Sequence, residues 1–249
     1  MMITELRHER IVQKLNESSV ISIHELIELL QVSEATVRRD LSQLEQEGKL
    51  IRVHGGARKA YRLDEEPSFK DKQGLHHDEK LSVAQHAATL VDTNDVIYLD
   101  AGTTTFLMIP FLVEKKVLVV TNGLSHANRL MELGIDTILL GGKIKQWTGA
   151  IIGSTTIEQL KQYRIQKAFL GMNGVDVQHG YTTPDIEEAA VKKTAVQQSN
   201  QAFILADKTK IGKVTFCCVA PIENATLITN TLSEELRNSF ATQTQIKEC

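Results

Sequence analysis

The 249 residues carry 28 Lys and Arg against 31 Asp and Glu, a formal net charge of −3, and 42% are hydrophobic. That hydrophobic share supports a sizeable core and excludes a wholly disordered chain, while a length well above about 150 residues suggests two domains. The mild acidity disfavours a chain that coats nucleic acid or an anionic membrane over its whole surface.

The first stretch reads as helical. Leu6, Ile11 and Leu15 recur at helical spacing behind Thr4, a candidate N-cap. A β-prone Ser19-Val20-Ile21 follows. Ser22 can cap a second helix with Leu26, Leu29 and Leu30, and Ser33 a third with Ala35, Val37, Leu41 and Leu44 turned inward, ending near Gly48. Leu50 to Val53 alternates as a strand and runs into the turn signal Gly55-Gly56. Two short helices joined tightly, with polar residues at the start of the second, match the helix-turn-helix that reads DNA.

Charge within the chain is uneven. Residues 1–62 hold ten basic and nine acidic side chains, and residues 63–249 hold eighteen and twenty-two. Seven of the basic residues, Arg38, Arg39, Lys49, Arg52, Arg58, Lys59 and Arg62, lie in 38–62 against Asp40, Glu45 and Glu47. On the third helix Glu34, Thr36 and Arg38 are placed to reach base edges, and Ser33 and Arg39 to hold phosphates. Arg52, His54, Gly55, Gly56 and Arg58 form a basic wing whose glycines allow close approach to a phosphate. The plainer alternative is a small helical bundle with a solvated basic face. Leu63-Asp64-Glu65-Glu66-Pro67-Ser68 reads as a linker. The expected division is residues 1–60 as a winged helix-turn-helix, 61–74 as linker and 75–249 as an effector and oligomerisation domain.

Beyond the linker, short apolar runs alternate with amphipathic segments. Strands are expected at Val96–Leu99, Val117–Val120, Thr137–Leu140, Lys167–Leu170, Ala202–Ala206, Phe216–Val219 and Leu227–Ile228. Helices are expected near 78–91, 103–112, 124–133, 154–163, 187–199 and 233–240. This alternation implies an α/β fold with a mostly parallel sheet.

Asp100-Ala101-Gly102-Thr103-Thr104-Thr105 takes a strand into a helix through a Gly- and hydroxyl-rich turn, which suits an anion. The turn is neither a phosphate-binding Walker loop nor a dinucleotide fingerprint, which disfavours ATP and dinucleotides. Thr103 acting only as a helix cap is the competing reading. Thr121-Asn122-Gly123, Gly141-Gly142-Lys143, Gly171-Met172-Asn173-Gly174 and Asp207-Lys208-Thr209-Lys210 follow other strands, where open α/β sheets bind ligands. Each alone is an ordinary loop; together they suggest one pocket. Glu188 and Lys192, four apart, form either an i,i+4 pair or part of a ligand site.

His76-His77-Asp78-Glu79 looks like a solvated helix start and not a metal site. Trp147 is either packing or part of a lid or dimer contact. Neither metal nor cofactor is expected. Cys217, Cys218 and Cys249 support neither a disulfide framework nor a CxxC motif. With no signal peptide at Met1–Arg10 and no run of about 18 apolar residues, a soluble cytoplasmic protein is expected.

Arg10, Val-Ser-Glu-Ala-Thr-Val-Arg-Arg-Asp-Leu (32–41), Leu44-Glu45, Gly48 and Arg52-Val-His-Gly-Gly-Ala (52–57) closely resemble the signature of the DeoR family of bacterial transcription repressors. The resemblance extends over essentially the whole chain and is nearest to the fructose-operon repressors of that family. It implies a repressor with a body folded like ribose-5-phosphate isomerase, sensing a phosphorylated sugar, by this likeness fructose 1-phosphate. Glu188-Ala-Ala-Val-Lys192-Lys193 and Asp207-Lys-Thr-Lys210-Ile-Gly212 look like the family's effector blocks. By analogy Gly102 to Thr105 hold phosphate, with Asp100, Asn122, Asp207 and Lys210 near the sugar. Lys208 departs from the family's pattern, which favours a small residue there. The implied partners are double-stranded operator DNA, the sugar phosphate and further copies of the chain, as dimer or tetramer, with no membrane. The alternatives are an isomerase-like enzyme carrying a DNA-binding head, since Asp100, Glu188, Asp207 and Lys210 are able to move protons, and a protein-interaction module.

Overall fold

A computed structural model describes residues 3–18, 20–53, 55–59 and 68–249, without the side chains of 16–18, 20, 58 and 59. Of the linker expected at 61–74, residues 61–67 lie outside the described residues, as do His54 and the Arg58 side chain, and Phe69–Gly74 is helical. The chain divides into two compact units, Met1–Arg62 and Leu63–Cys249.

The first unit runs α1 (Thr4–Ser18), β1 (Val20–Ser22), α2 (Ile23–Leu30), α3 (Glu34–Gln46), β2 (Leu50–Val53) and β3 (Gly56–Lys59). Ser22 and Glu25 make a reciprocal capping box at α2, and Ser33 caps α3 by accepting from the Thr36 amide. Thr4 is the first helical residue of α1 and not its cap. Ile11, Leu15, Leu26, Leu30, Val37, Leu41 and Leu44 form one core with Ile21, Leu50 and Ala57. Leu6 and Leu29 are 42% and 37% exposed, and Ala35 is exposed too. Leu6 stands five residues before Ile11, about 140° around the helix from it, so period alone takes it off the buried face.

The strands join antiparallel in the order β1-β3-β2, with Gly55 at φ +83° in the hairpin turn. Gly56 is required by this sheet: it is buried, and a Cβ there would stand 2.2 Å from the Ile21 carbonyl oxygen. Gly56→Ala is therefore expected to destabilise the unit by about 1–3 kcal/mol through overpacking. Thermal unfolding checks this, and a variant as stable as the parent contradicts the close approach.

The second unit opens with α4 (Phe69–Gly74) and α5 (His77–Thr89), followed by β4 (Val96–Leu99), α6 (Thr103–Met108) with a 3₁₀ turn over Ile109–Lys115, β5 (Leu118–Thr121), α7 (Leu124–Glu132) and β6 (Thr137–Leu139). Then come β7 (Lys143–Lys145), β8 (Ala150–Ile152), α8 (Ser154–Leu160), β9 (Ile165–Gly171), β10 (Gly174–Asp176), β11 (Gly180–Thr183), α9 (Ile186–Gln198) and β12 (Ser199–Leu205). A 3₁₀ turn at Lys208–Lys210 leads to β13 (Cys217–Ala220), β14 (Thr226–Thr229), α10 (Glu234–Ala241) and β15 (Ile246–Glu248).

Seven of these strands form a wholly parallel sheet in the order β15-β14-β12-β9-β4-β5-β6. Alternate residues feed two cores: Tyr98, Ala168, Leu170 and Ile204 pack on α8 and α9, and Ile97, Leu99, Phe169 and Leu205 on α5 and α6. This two-sided burial is why the strands read as continuous apolar runs. The segment expected at Phe216–Val219 is a strand, β13, but it joins the antiparallel sheet β10-β11-β13 instead. Gly180, at φ +70°, lets that sheet close, since a Cβ there would lie 2.3 Å from the Ala220 carbonyl oxygen. Chain order reverses between β4 and β9, where open α/β sheets leave a crevice at the strands' carboxyl ends.

Candidate ligand cleft and nucleic-acid interface

On α3 the Arg38 and Arg39 side chains are exposed. Arg38 is tied to Glu34 through Nε (2.8 Å) and Nη2 (2.6 Å), a half-exposed i,i+4 pair. The Ser33 and Thr36 hydroxyls lie 2.9 Å apart in the cap, so Ser33 already holds the start of the helix. The Arg52 amide donates to Glu45 (2.8 Å) and its guanidinium to Ser42 (2.7 Å), which ties β2 to α3. Asp40, between Arg39 and Leu41, faces inward: its buried carboxylate takes Arg7 Nε at 2.7 Å and Nη2 at 3.0 Å, with His8 at 3.4 Å. Sequence reasoning left Arg7 and Asp40 unpaired, because 33 residues separate them.

In the second unit, the crevice between β4 and β9 holds a cleft lined by Gly102, Thr103, Thr104, Glu188, Lys192, Asp207 and Lys210, all expected, and by Lys72, Lys80, Thr148 and Asn173. Asp100 sits behind it, 2% exposed, accepting from the Gly171 amide at 3.1 Å and from the Lys192 ammonium. Lys192 also donates to the Gly171 carbonyl at 3.0 Å. Glu188 accepts from Lys145 at 3.0 Å and Thr148 at 2.8 Å. Asp207 accepts from the Thr209 amide at 2.9 Å. Burial works against the Asp207 charge, but Lys210, the Thr209 hydrogen bonds and Lys80 outweigh it and hold the carboxyl below its ordinary range.

Several other expected ligand residues hydrogen-bond within the protein. The Thr105 hydroxyl is fully buried against the Asp100 and Gly102 carbonyls, at 2.6 and 2.8 Å, and against His126 Nε2 at 3.1 Å. Asn122 accepts from the Tyr98 hydroxyl and the Ala101 amide and donates to the Ile151 carbonyl, which positions the 100–102 turn. The Thr121 hydroxyl bonds the Leu99 carbonyl. Gly141 bonds Gln159 and Thr156, while Gly142 at φ +149° leaves room for Thr156. Lys143 reaches Glu187 on the surface at 3.4 Å. None of these residues is in the cleft lining, although Thr105 and Asn122 hold the turn that is. The α-helical part of α6 spans only six residues before turning 3₁₀. The lysines, more than a helix dipole, give the cleft its positive charge.

Lys80 is the residue most easily missed. It is 3% exposed and shares the apolar face of α5 with Val83, Ala84 and Ala87, so a lysine on a buried helical stripe was its visible signal. Burial pushes its ammonium down to about 8; Asp207 opposes this, and Lys210 and Lys72 reinforce it. His126 was also missed. It is fully buried, pushed down to about 4 chiefly by burial, and braces Thr105 from behind. Lys208, the departure from the expected loop, anchors its amide on Asn230 (3.1 Å) and its ammonium near Glu79 (3.6 Å). Trp147 is 60% exposed. His76 takes a left-handed conformation at the start of α5, and no metal-ligating cluster occurs among the described residues. A larger open groove of about 790 Å³ lies at the amino ends of β9, β12 and β14. Its Lys167 is held by Asp92 and Asp95, so converging positive charge belongs to the carboxyl-end cleft. No helix among the described residues is long and apolar enough to cross a membrane.

Residues 7–61 match the DeoR-like helix-turn-helix domain and residues 75–231 the DeoR C terminal sensor domain. The chain is 44% identical over 247 residues to the uncharacterised helix-turn-helix regulator FruR of Bacillus subtilis, covering 99% of this chain and 98% of that protein. It is 34% identical to the lactose phosphotransferase system repressor of Staphylococcus epidermidis, covering 90% and 91%. Ribose 5-phosphate isomerase from Methanocaldococcus jannaschii aligns over 54% of each chain at 22% identity and a TM-score of 0.41. From its amino-terminal helix-turn-helix to its carboxyl-terminal sensor domain, the chain belongs to the DeoR family of transcriptional regulators.

Proposed function

We propose that this chain is a repressor that binds operator DNA as a homo-oligomer and is released by a phosphorylated sugar, fructose 1-phosphate in the first instance. The observation that carries the sensor half is the convergence of Lys72, Lys80, Lys192 and Lys210 with Thr103 and Thr104 on one cleft at the sheet's switch point. Ammonium groups and hydroxyls suit a phosphate ester, and Glu188 and Asp207 suit sugar hydroxyls. The names of the two relatives, FruR and a lactose phosphotransferase system repressor, suggest the same ligand class. Gly102, Thr103, Thr104, Lys192, Asp207 and Lys210 are the proposed contacts, with Asp100 holding Lys192.

For the operator, Arg39 with Ser33, Arg52 and Gly55 is assigned to phosphates, and Glu34, Thr36 and Arg38 to base edges. One head reads few base pairs, so two copies on paired half-sites are needed for a selective site. Arg39→Ala is expected to weaken binding to all sequences and to lower the salt slope by about 1. Thr36→Ala and Arg38→Ala should instead change which bases are preferred. Titrations of two duplexes across a salt series separate the roles; identical behaviour of all three variants contradicts the assignment.

The carboxylates able to do proton transfer already accept hydrogen bonds from Lys192, Lys145, Thr148 or Thr209, which favours sensing over turnover. Isotope exchange at the carbon beside the carbonyl of an aldose or ketose phosphate tests this, and measurable exchange overturns it.

A further inference from the structure

The parallel sheet ends in two edge strands, β15 and β6, and their chemistry differs. β15 reads Ile246-Lys247-Glu248, and Glu248 is held by the Leu232 amide at 2.7 Å and by Arg237 Nε at 2.8 Å. Charged side chains are a common means of keeping a sheet edge from pairing with another chain. β6 reads Thr137-Ile138-Leu139, without charge or proline, and its register with β5 is regular. The Val119 amide donates to the Asp136 carbonyl and the Leu140 amide to the Thr121 carbonyl, so residues 136, 138 and 140 turn their backbone groups toward β5. Alternation turns the amides and carbonyls of Thr137 and Leu139 the other way, where no further strand stands among the described residues. The side chains are open as well. Ile138 is only partly buried against the α8 and α9 core, and Leu139, on the opposite face, is 40% exposed.

We propose that β6 is where two copies of this chain join, antiparallel about a twofold axis, so that their parallel sheets continue as one. This rests on the homo-oligomer reading above and gives it an interface. Two physical arguments favour a second copy as the occupant. First, the sheet has one open edge and one charged edge. Self-pairing of β6 therefore uses up the open edge of both copies and closes at two, whereas a sheet open at both edges would build a filament. Second, the two ends of the strand are complementary in charge. Asp136 is exposed at its start and makes no ion pair among the described residues. Lys143 follows its end, and its side chain is 71% exposed although Glu187 lies at 3.4 Å. Antiparallel pairing sets the acidic end of each strand beside the basic end of the other, and it does so twice; parallel pairing would set like charges together. Gly141 and Gly142, between Leu140 and Lys143, put no side chain in the way.

Sedimentation velocity of the full chain over a concentration series at low salt, without DNA, reads the association directly. Wild type should form a dimer. Leu139→Lys puts a charge on the edge of each copy and should weaken the dimer at least tenfold, with circular dichroism showing the fold retained. Asp136→Lys and Lys143→Glu lie outside the ladder and leave it intact. Each alone sets like charges together at both ends and should weaken self-association. An equimolar mixture of the two should associate about as tightly as wild type, because each copy then offers the charge that the other lacks. Leu139→Lys that associates as tightly as wild type, or a mixture no tighter than either variant alone, overturns the proposal and leaves the homo-oligomer reading intact. A wild-type chain that stays monomeric at every concentration contradicts that reading and the proposal with it, and leaves β6 as an edge for a strand of a different protein.

Discussion

Asp40→Ala is expected to unfold the amino-terminal unit while leaving the carboxyl-terminal unit folded. The Asp40 carboxylate is 1% exposed and takes two hydrogen bonds from a guanidinium that is itself buried. Removing one partner of such a pair typically costs about 3–5 kcal/mol, because the other charge is left uncompensated out of water. A unit of about sixty residues starts from the low end of the 5–15 kcal/mol usual for a folded domain. Calorimetry should show the first unit's transition lost and the second's in place, with operator binding abolished. The double variant Arg7→Met with Asp40→Leu should recover much of the stability, since an apolar pair of similar volume replaces a buried ion pair at little cost. An Asp40→Ala transition at the wild-type temperature contradicts the assignment.

Ligand affinity is expected to be greatest between about pH 6 and pH 8 and to fall on both sides. On the acid side a phosphate monoester loses its second charge near pH 6. On the alkaline side the controlling group is Lys80, at about 8 without ligand and facing Asp207, Lys210, Lys72 and Glu79. A bound dianion favours the charged ammonium and raises that value, so above pH 8 binding takes up a proton and weakens by up to about tenfold per pH unit. The same group acts on stability. Its folded value lies below its ordinary one, so its penalty is complete below pH 8 and relieved as pH rises toward the ordinary lysine range. The ligand-free unit therefore gains stability across that window. Calorimetry in two buffers of different ionisation enthalpy reads the proton uptake directly. Affinity that stays constant from pH 7 to pH 9 in wild type contradicts it, and Lys80→Met should abolish the alkaline limb.

Local signals in the sequence carry most of the architecture. Ser22 and Ser33 mark their helix starts because N-cap chemistry is complete within four residues. The parallel strands are visible because burial on both faces makes them apolar throughout. β13 is equally visible as a strand, but its sheet is not, since pairing with β11 depends on contacts more than thirty residues away. The cleft is half legible for the same reason. Thr103, Thr104, Asp207 and Lys210 sit at strand ends, where topology alone predicts a site. Lys72 and Lys80 come from helices that precede β4, and only the packing of α5 against the sheet brings them there. Asn122 and Thr105 show the opposite case. Their residue types suit a ligand, yet the turn at 100–105 needs their hydrogen bonds to hold its shape, and sequence does not distinguish a polar group that binds a ligand from one that supports the binder.

In the proposed repressor, one cleft of lysines and threonines controls operator binding. The most direct measurement of that control is the anisotropy of a duplex selected from a random pool by the full chain, titrated with fructose 1-phosphate and, separately, with fructose. The expected result is at least a tenfold loss of operator affinity with the phosphate, none with the free sugar, and no response in Lys210→Ala although its operator binding is unchanged. Operator affinity that is the same with and without saturating fructose 1-phosphate, and with every other sugar phosphate tried, contradicts it.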